Sequence, residues 1–227
     1  MSLLTESLPI YRCNKITRPL ILSGALRDPV WNQAEPADLL DIHGRPGRFK
    51  TQVRLLYDEK FLYVGFTCED DYVWSTITQR DGSIWEQECV EVFLNPANTI
   101  HQYYEINVNP LNTVFDACIL NGCTPEDFKG PFQGFSQFNL AELHTAVHIS
   151  GECNKPGLAD GWSAELAIPF KELPGASHIP PLSGDRWRAN FYRIDQPYQA
   201  QPEHYAWSKT ERVAFHQPWR FGTLQFC

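Results

Sequence analysis

From residue 51 onward, apolar and polar positions alternate in short runs separated by turn residues. TQVRLLY (51–57), the turn DEK and FLYVGFTC (61–68) form one predicted pair of strands. CVEVFLN (89–95), the connection PANTIH and QYYEINV (102–108) form a second. TVFDACI (113–119) runs towards the turn-prone Asn121-Gly122, and LHTAVHIS (143–150) pairs with WSAELAI (162–168). RWRANFYRI (186–194), YAWS (205–208) and FGTLQF (221–226) complete the set. Residues 124–139 and 195–203 read as long loops, and 1–18 as a polar lead-in. Pro169 to Leu173 predicts one helical turn with proline in its first position. Strands of this length, with no sustained helical period, predict an all-β protein. The expected fold is an antiparallel β-sandwich, jelly-roll-like, formed as a single domain over residues 1–227.

Alternation also assigns faces. Val90, Val92 and Leu94 share one side of their strand, and Glu91, Phe93 and Asn95 the other. Tyr104, Ile106 and Val108 oppose Tyr103, Glu105 and Asn107. A hairpin aligns the two apolar faces, so Glu91, Glu105 and Asn107 fall together on the outer one. Trp187, Ala189 and Phe191 read as core, which places Arg188, Asn190 and Tyr192 on the outer face of their strand. Such a platform of carboxylates, amides, a guanidinium and a phenol both donates and accepts hydrogen bonds, as polyhydroxylated ligands require. The bland alternative is an ordinary solvated sheet face.

Composition sharpens this picture in two places. Lys and Arg total 19 against 27 Asp and Glu, a net charge of −8 with no basic run. That balance argues against a nucleic-acid partner and favours a neutral or cationic ligand. Aromatic residues make up 13% of the chain, with 7 Trp, 9 Tyr and 14 Phe, which favours a surface that stacks on flat apolar faces. No apolar run approaches the length of a membrane span. The 7 cysteines contain no Cys-x-x-Cys pair and read as incidental free thiols, although Cys118 and Cys123 could meet across a hairpin. The N-terminus shows no signal-peptide pattern, so a cytoplasmic location is the default expectation. A monomer is favoured.

Trp31, Trp162 and Trp187 sit beside apolar positions and are expected in the core, whereas Trp74 could go either way. Trp85 precedes the strand with the polar face, Trp207 follows a long polar loop, and Trp219 lies against the final strand. Two rings at loop–strand junctions would make a stacking clamp.

Taken in order, these segments resemble the family-nine carbohydrate-binding modules. The resemblance runs over roughly residues 20–226, through GALRDPVWNQA (24–34), YDEKFLYVGFTCED (57–70), RDGSIWEQECVEVFLNP (80–96), YYEINVNPLNTVFD (103–116), GWSAELAIPF (161–170), RWRANFYRID (186–195), YAWS and RFGTLQF (220–226). It implies a non-catalytic sandwich that holds sugars between two tryptophans, with plant-polysaccharide ligands such as xylan or cellulose fragments. Trp85 matches the first ring by its place before a W-x5-E segment, which puts Glu91 at the hydrogen-bonding carboxylate. Trp207 is the best match for the second, with Asn190, Arg188 and Arg80 as further polar contacts. The resemblance extends to calcium-binding sandwiches, and Asp58, Asp70 and Asp71 are the expected oxygen donors of a structural calcium site. Relatives are usually secreted, and many are attached to xylanases.

Two other classes compete. Glu91 and Glu105 on adjacent strands could serve as the carboxylate pair of a glycoside hydrolase. A haem-binding sandwich is the other, but no haem is expected, because Met1 is the only methionine.

Overall fold

The computed structural model describes residues 7–227. The sequence-predicted strands form as β3 (Thr51–Tyr57), β4 (Phe61–Glu69), β5 (Cys89–Asn95), β6 (Gln102–Val108), β7 (Val114–Asn121), β9 (His144–Gly151), β10 (Ala159–Pro169), β11 (Arg186–Asp195), β12 (Glu203–Ala206) and β13 (Gly222–Phe226). Three more form where none is expected. β1 (Ile10–Lys15) lies in the lead-in, β2 (Ala37–Asp41) precedes the first predicted pair, and β8 (Phe132–Phe135) lies inside the 124–139 loop. The helical turn after β10 is a 3-10 turn over Phe170–Glu172, with Pro169 just before it rather than within it.

One sheet runs β8-β7-β6-β5-β11, with β12 and β13 both paired to β11; the other runs β2-β3-β4-β10-β9. Pairing is antiparallel except at β1, which lies parallel to both β13 and β3. β1 thus ties the two sheets, and β12 joins them again through Tyr205 opposite Asp41 and Ala206 opposite Leu40. The first third of the lead-in, residues 1–6, lies outside the described residues. The rest is part of the fold.

The apolar faces meet as the alternation requires. Val90, Val92, Leu94, Tyr104, Ile106 and Phe191 of one sheet pack against Val53, Leu55, Val64 and Phe66 of the other. The Phe66 and Phe191 rings meet edge-on across the interface at 6.4 Å. Trp31, Trp162 and Trp187 are all buried, as expected. All seven cysteines are free thiols, Cys118 and Cys123 among them.

The outer face of the β4–β10 sheet is closed by residues 16–34. Glu165 on that face accepts from the Trp31 indole Nε1 at 2.7 Å and from the Ser23 backbone N–H at 2.7 Å. Gly65 makes room for this cover. A Cβ there would stand 2.8 Å from Leu26 Cδ2 and 3.1 Å from the Trp31 ring. The opposite sheet is covered over only part of its outer face, and that is where a cavity opens.

Candidate functional site

The outer face of β5, β6 and β11 carries the residues that alternation assigns to it, but it is not a wet surface. Glu91, Glu105, Asn107 and Asn190 are all buried. The chain after β12 folds back over the β11 half. Asn190 Nδ2 donates to the Ser208 carbonyl at 2.8 Å and its Oδ1 accepts from the Ser208 N–H at 2.9 Å. Arg188 Nη2 donates to the Phe221 carbonyl at 2.8 Å and the Trp219 carbonyl at 3.3 Å. Phe215 stacks on Tyr192 with centroids 4.0 Å apart, and the Tyr192 hydroxyl donates to its carbonyl. Asn190 and Arg188 therefore stitch down a covering segment and do not line the cavity described next.

Between this cover and β8 lies a cavity of about 530 Å³, within the range of small-molecule sites. Its floor holds Glu91 and Glu105, its walls Phe115, Phe132, Phe215 and His216, and its mouth Trp85. Trp85 sits on a 3-10 turn (Ile84–Glu86) anchored by buried Ile84, and remains 39% exposed. Its ring meets Phe115 edge-on at 4.8 Å. The structure thus unites Trp85, Glu91 and Glu105, with Asn107 directly behind them. Asn107 Nδ2 donates to Glu105 Oε1 at 2.8 Å.

The other expected site residues lie elsewhere. Trp207 belongs to the opposite, inner side of β12, packed against the main core between Tyr11 at 6.4 Å and Phe191 at 5.5 Å. Gly222 admits it there, since a Cβ at that position would stand 2.4 Å from its ring. The two rings of the expected clamp are therefore separated by a sheet. Alternation explains why, because Tyr205 faces the core and Trp207 is two residues further on. Arg80 donates to Asp116 Oδ1 at 2.6 Å and Asn139 Oδ1 at 2.9 Å, an internal ion pair outside the cavity lining.

Phe115, Phe132, Phe215, His204 and His216 were not anticipated. The two histidines and Phe215 come from segments with no alternation to read. Phe132 lies on the short edge strand hidden in the Gly- and Pro-rich stretch.

Burial governs the electrostatics of the floor. It raises the pKa of both glutamic acids, Glu105 to about 7 and Glu91 well above the ordinary carboxylate range, with added repulsion from Glu105. The β5–β6 register sets Glu91 opposite Asn107 and Glu105 opposite Phe93. The acids are thus diagonal neighbours rather than a directly opposed pair. Burial lowers His216 to about 4 and also lowers His204, so both imidazoles are neutral near pH 7. A hydrogen bond between Tyr103 Oη and His216 Nδ1 at 2.9 Å holds the latter ring, with its Nε2 3.8 Å from Glu105 Oε2.

Glu105 makes the pH dependence of folding testable. Its pKa rises from 4.5 to about 7 on folding. Folded protein therefore keeps a proton that the unfolded chain releases between those values. The burial penalty is absent below about pH 4.5 and complete above about pH 7, where it amounts to about 3 kcal/mol. His216 has the opposite slope: its contribution is present above 6.5 and lost as pH falls through about 4. That term is common to wild type and variant. Glu105→Gln should thus gain about 3 kcal/mol on wild type between pH 5 and pH 8 in urea unfolding. An unchanged difference across that range would refute the assignment.

The expected calcium donors have partners of their own. Asp58 Oδ1 accepts from the Lys60 and Phe61 backbone N–H groups and its Oδ2 from the Tyr63 hydroxyl, so it caps the β3–β4 turn. Asp71 pairs with Arg48 at 2.7 Å on the surface. Asp70 joins Glu88 and Asp195, whose carboxylate oxygens gather within 4.8 Å of one another. Arg193 occupies that gathering point. Its Nη2 lies 2.6 Å from Asp70, 3.1 Å from Glu88 and 3.6 Å from Asp195. The guanidinium supplies the positive charge there, so the residues present do not fit a calcium ion at the same place.

A family model for carbohydrate-binding family 9 matches residues 33–226. No curated protein matches the chain in sequence. Among solved structures, a candidate carbohydrate-binding protein of Bacteroides uniformis ATCC 8492 is similar, with a TM-score of 0.75 and 20% identity over 97% of this chain and 100% of its own. A carbohydrate-binding module of family 9 from Caldicellulosiruptor kristjanssonii, in complex with cellotriose, gives a TM-score of 0.66 at 16% identity over 96% of this chain and 93% of that one. The same organism's module in complex with glucose gives 0.64 at 16% identity, covering 95% of each chain. At these identities the likeness is one of fold.

Proposed function

We propose, on the premise that this chain belongs to carbohydrate-binding family 9, that it binds carbohydrate without cleaving it, in the cavity beneath Trp85. The observation that carries this reading is the placement of Trp85. A large ring, 39% exposed on a protein whose other indoles are more buried, overhangs a cavity floored by Glu91 and Glu105. The C–H face of a pyranose stacks on such a ring, while carboxyl groups below take its hydroxyls. The volume of about 530 Å³ suits a sugar end rather than a long chain segment. The complexes of the Caldicellulosiruptor module with glucose and cellotriose support oligosaccharides of the plant-polysaccharide type as the first ligands to try.

A glycoside hydrolase of the retaining type needs one ionised carboxylate as nucleophile beside a protonated acid. Here burial pushes both Glu91 and Glu105 towards the protonated form, which suits binding better than that division of labour.

Titration calorimetry with glucose, cellobiose, cellotriose and xylo-oligosaccharides tests the reading. Saturable binding that quenches or shifts tryptophan fluorescence, with the oligosaccharide recovered intact, is the expected result. Absence of binding across monosaccharides, neutral and basic, and across these oligosaccharides would overturn it.

A further inference from the structure

The chemistry of the cavity narrows the ligand beyond carbohydrate. This step rests on the functional reading above. Three carboxyl groups line the cavity: Glu91 from β5, Glu105 from β6, and Asp81 from the turn ahead of the Trp85 turn. Among the described residues no lysine, arginine, asparagine or glutamine lines it. The remaining titratable groups are His204 of β12 and His216 of the covering segment, both held neutral by burial. β7 and β8 contribute Phe115, Ile119, Phe132 and Gly134, and Ser136 just after β8 adds a hydroxyl. Behind the floor stand the Tyr103 and Tyr192 hydroxyls and the Cys89 thiol, none of them ionised, because burial raises all three. The lining is therefore rich in acceptors and carries no positively charged side chain; the nearest one, Arg80, stands outside it with Nε 3.9 Å from Asp81 Oδ2.

Glu105 accepts from Asn107 Nδ2, but the other two acids are poorly partnered. Glu91 is only 2% exposed, yet the hydrogen bond it accepts comes from the Cys89 thiol at 3.6 Å, a weak donor. Asp81 Oδ1 is buried without any hydrogen-bond partner. A neutral sugar hydroxyl seeks a donor as often as an acceptor, and besides Trp85, Ser136 and the two imidazoles the lining donates only through the floor carboxyls, and only while they stay protonated. An ammonium group has three donors and no acceptor. The rings at the mouth and walls, Trp85, Phe115, Phe132 and Phe215, present the electron-rich faces that attract such a cation. The net charge of −8 acts in the same direction at long range.

We propose that this cavity selects a basic sugar of the 2-amino-2-deoxyhexose type, its ring stacked on Trp85 and its ammonium group held by Glu91 and Glu105, with Asp81 at the rim. Burying the cation makes the floor acids ionise. At pH 6 the amine arrives charged while Glu105, with a pKa of about 7, is still protonated. Binding therefore expels a proton to the buffer. Affinity rises with pH as the acids ionise and falls again when the ligand's own amine loses its proton.

Calorimetry with glucosamine, glucose and N-acetylglucosamine, at pH 6 and low salt in two buffers of different ionisation enthalpy, tests this. Glucosamine should bind about tenfold or more tightly than either neutral sugar, as a charge-assisted hydrogen bond allows. Its heat alone should vary with the buffer. Glu91→Gln, Glu105→Gln and Asp81→Asn all preserve shape, and asparagine also suits the positive φ at position 81. The preference should shrink in each. If glucose binds as tightly as glucosamine, or if the preference survives all three substitutions, the inference is overturned while carbohydrate binding stands. If none of the three sugars binds, the inference fails as well, and the neutral oligosaccharides then decide whether the functional reading survives.

Discussion

Arg193→Met should lose about 3 to 5 kcal/mol of folding stability at neutral pH, the largest effect expected from any single polar substitution in this protein. Arg193 points into the core from β11 and is fully buried. Its Nη1 donates to Thr51 Oγ1 at 3.0 Å and the Glu69 carbonyl at 2.8 Å, reaching both β3 and β4. Its Nη2 faces Asp70, Glu88 and Asp195. One guanidinium thus joins the two sheets at one end and offsets three buried acids. Methionine fills most of the volume but leaves the acids unpaired, and the uncompensated buried charge sets the cost. The loss should depend on pH with a known sign. Even with Arg193 present, burial lifts Asp195 to about 6 and raises Glu88 well above the ordinary carboxylate range. Without the guanidinium their pKa values rise further, so the variant stays protonated to higher pH and destabilises as pH increases. Urea unfolding should therefore show a larger deficit at pH 8 than at pH 5. A deficit below about 1 kcal/mol at both would mean that the acids are not held in the way the geometry indicates.

Trp85→Ala should weaken carbohydrate binding about tenfold to a hundredfold while leaving the fold nearly intact. A stacked aromatic ring is worth about 1 to 3 kcal/mol, by analogy with bases on aromatic side chains, and each 1.4 kcal/mol is about tenfold in affinity. The ring meets Phe115 edge-on and stays 39% exposed, and its turn is anchored by buried Ile84, which the substitution leaves in place. Trp207→Ala is the contrasting control. That ring packs between Tyr11 and Phe191 against the core, so its removal should cost about 3 kcal/mol of stability and leave the affinity of the folded protein unchanged. Calorimetry and thermal melts on the two variants should give opposite profiles. Unfolding of Trp85→Ala, or a binding loss confined to Trp207→Ala, would place the site elsewhere.

The parts of the site that were legible in the sequence are those set by strand alternation. Glu91, Glu105, Phe93 and Tyr103 fall on the outer face because side chains in a strand alternate with a period of two, whatever the strand packs against. Trp85 stands just before the strand with the polar face, and the family resemblance is what singled it out from the other tryptophans. The residues that misled are those whose partners are remote in sequence. Asn190 and Arg188 lie on the predicted face, but Ser208 and Phe221 return to cover them. Arg80 finds Asp116, 36 residues on. Nothing local distinguishes a polar side chain awaiting a ligand from one that holds a loop.

Local chemistry by itself determined the β-sandwich, its two apolar faces and the polar line of Glu91, Glu105 and Asn107, since period, turn residues and hydrophobic burial act over a few positions. Tertiary structure alone decided which part of that line stays open. It swung residues 208–221 over the β11 half, put Trp207 on the core side and brought Phe132, Phe215 and His216 around the acids. It also brought Asp70 and Glu88, each more than a hundred residues away in the chain, to Arg193 and its strand neighbour Asp195. These choices depend on the net free energy of closing long loops over a particular surface, a quantity that no short window of sequence contains.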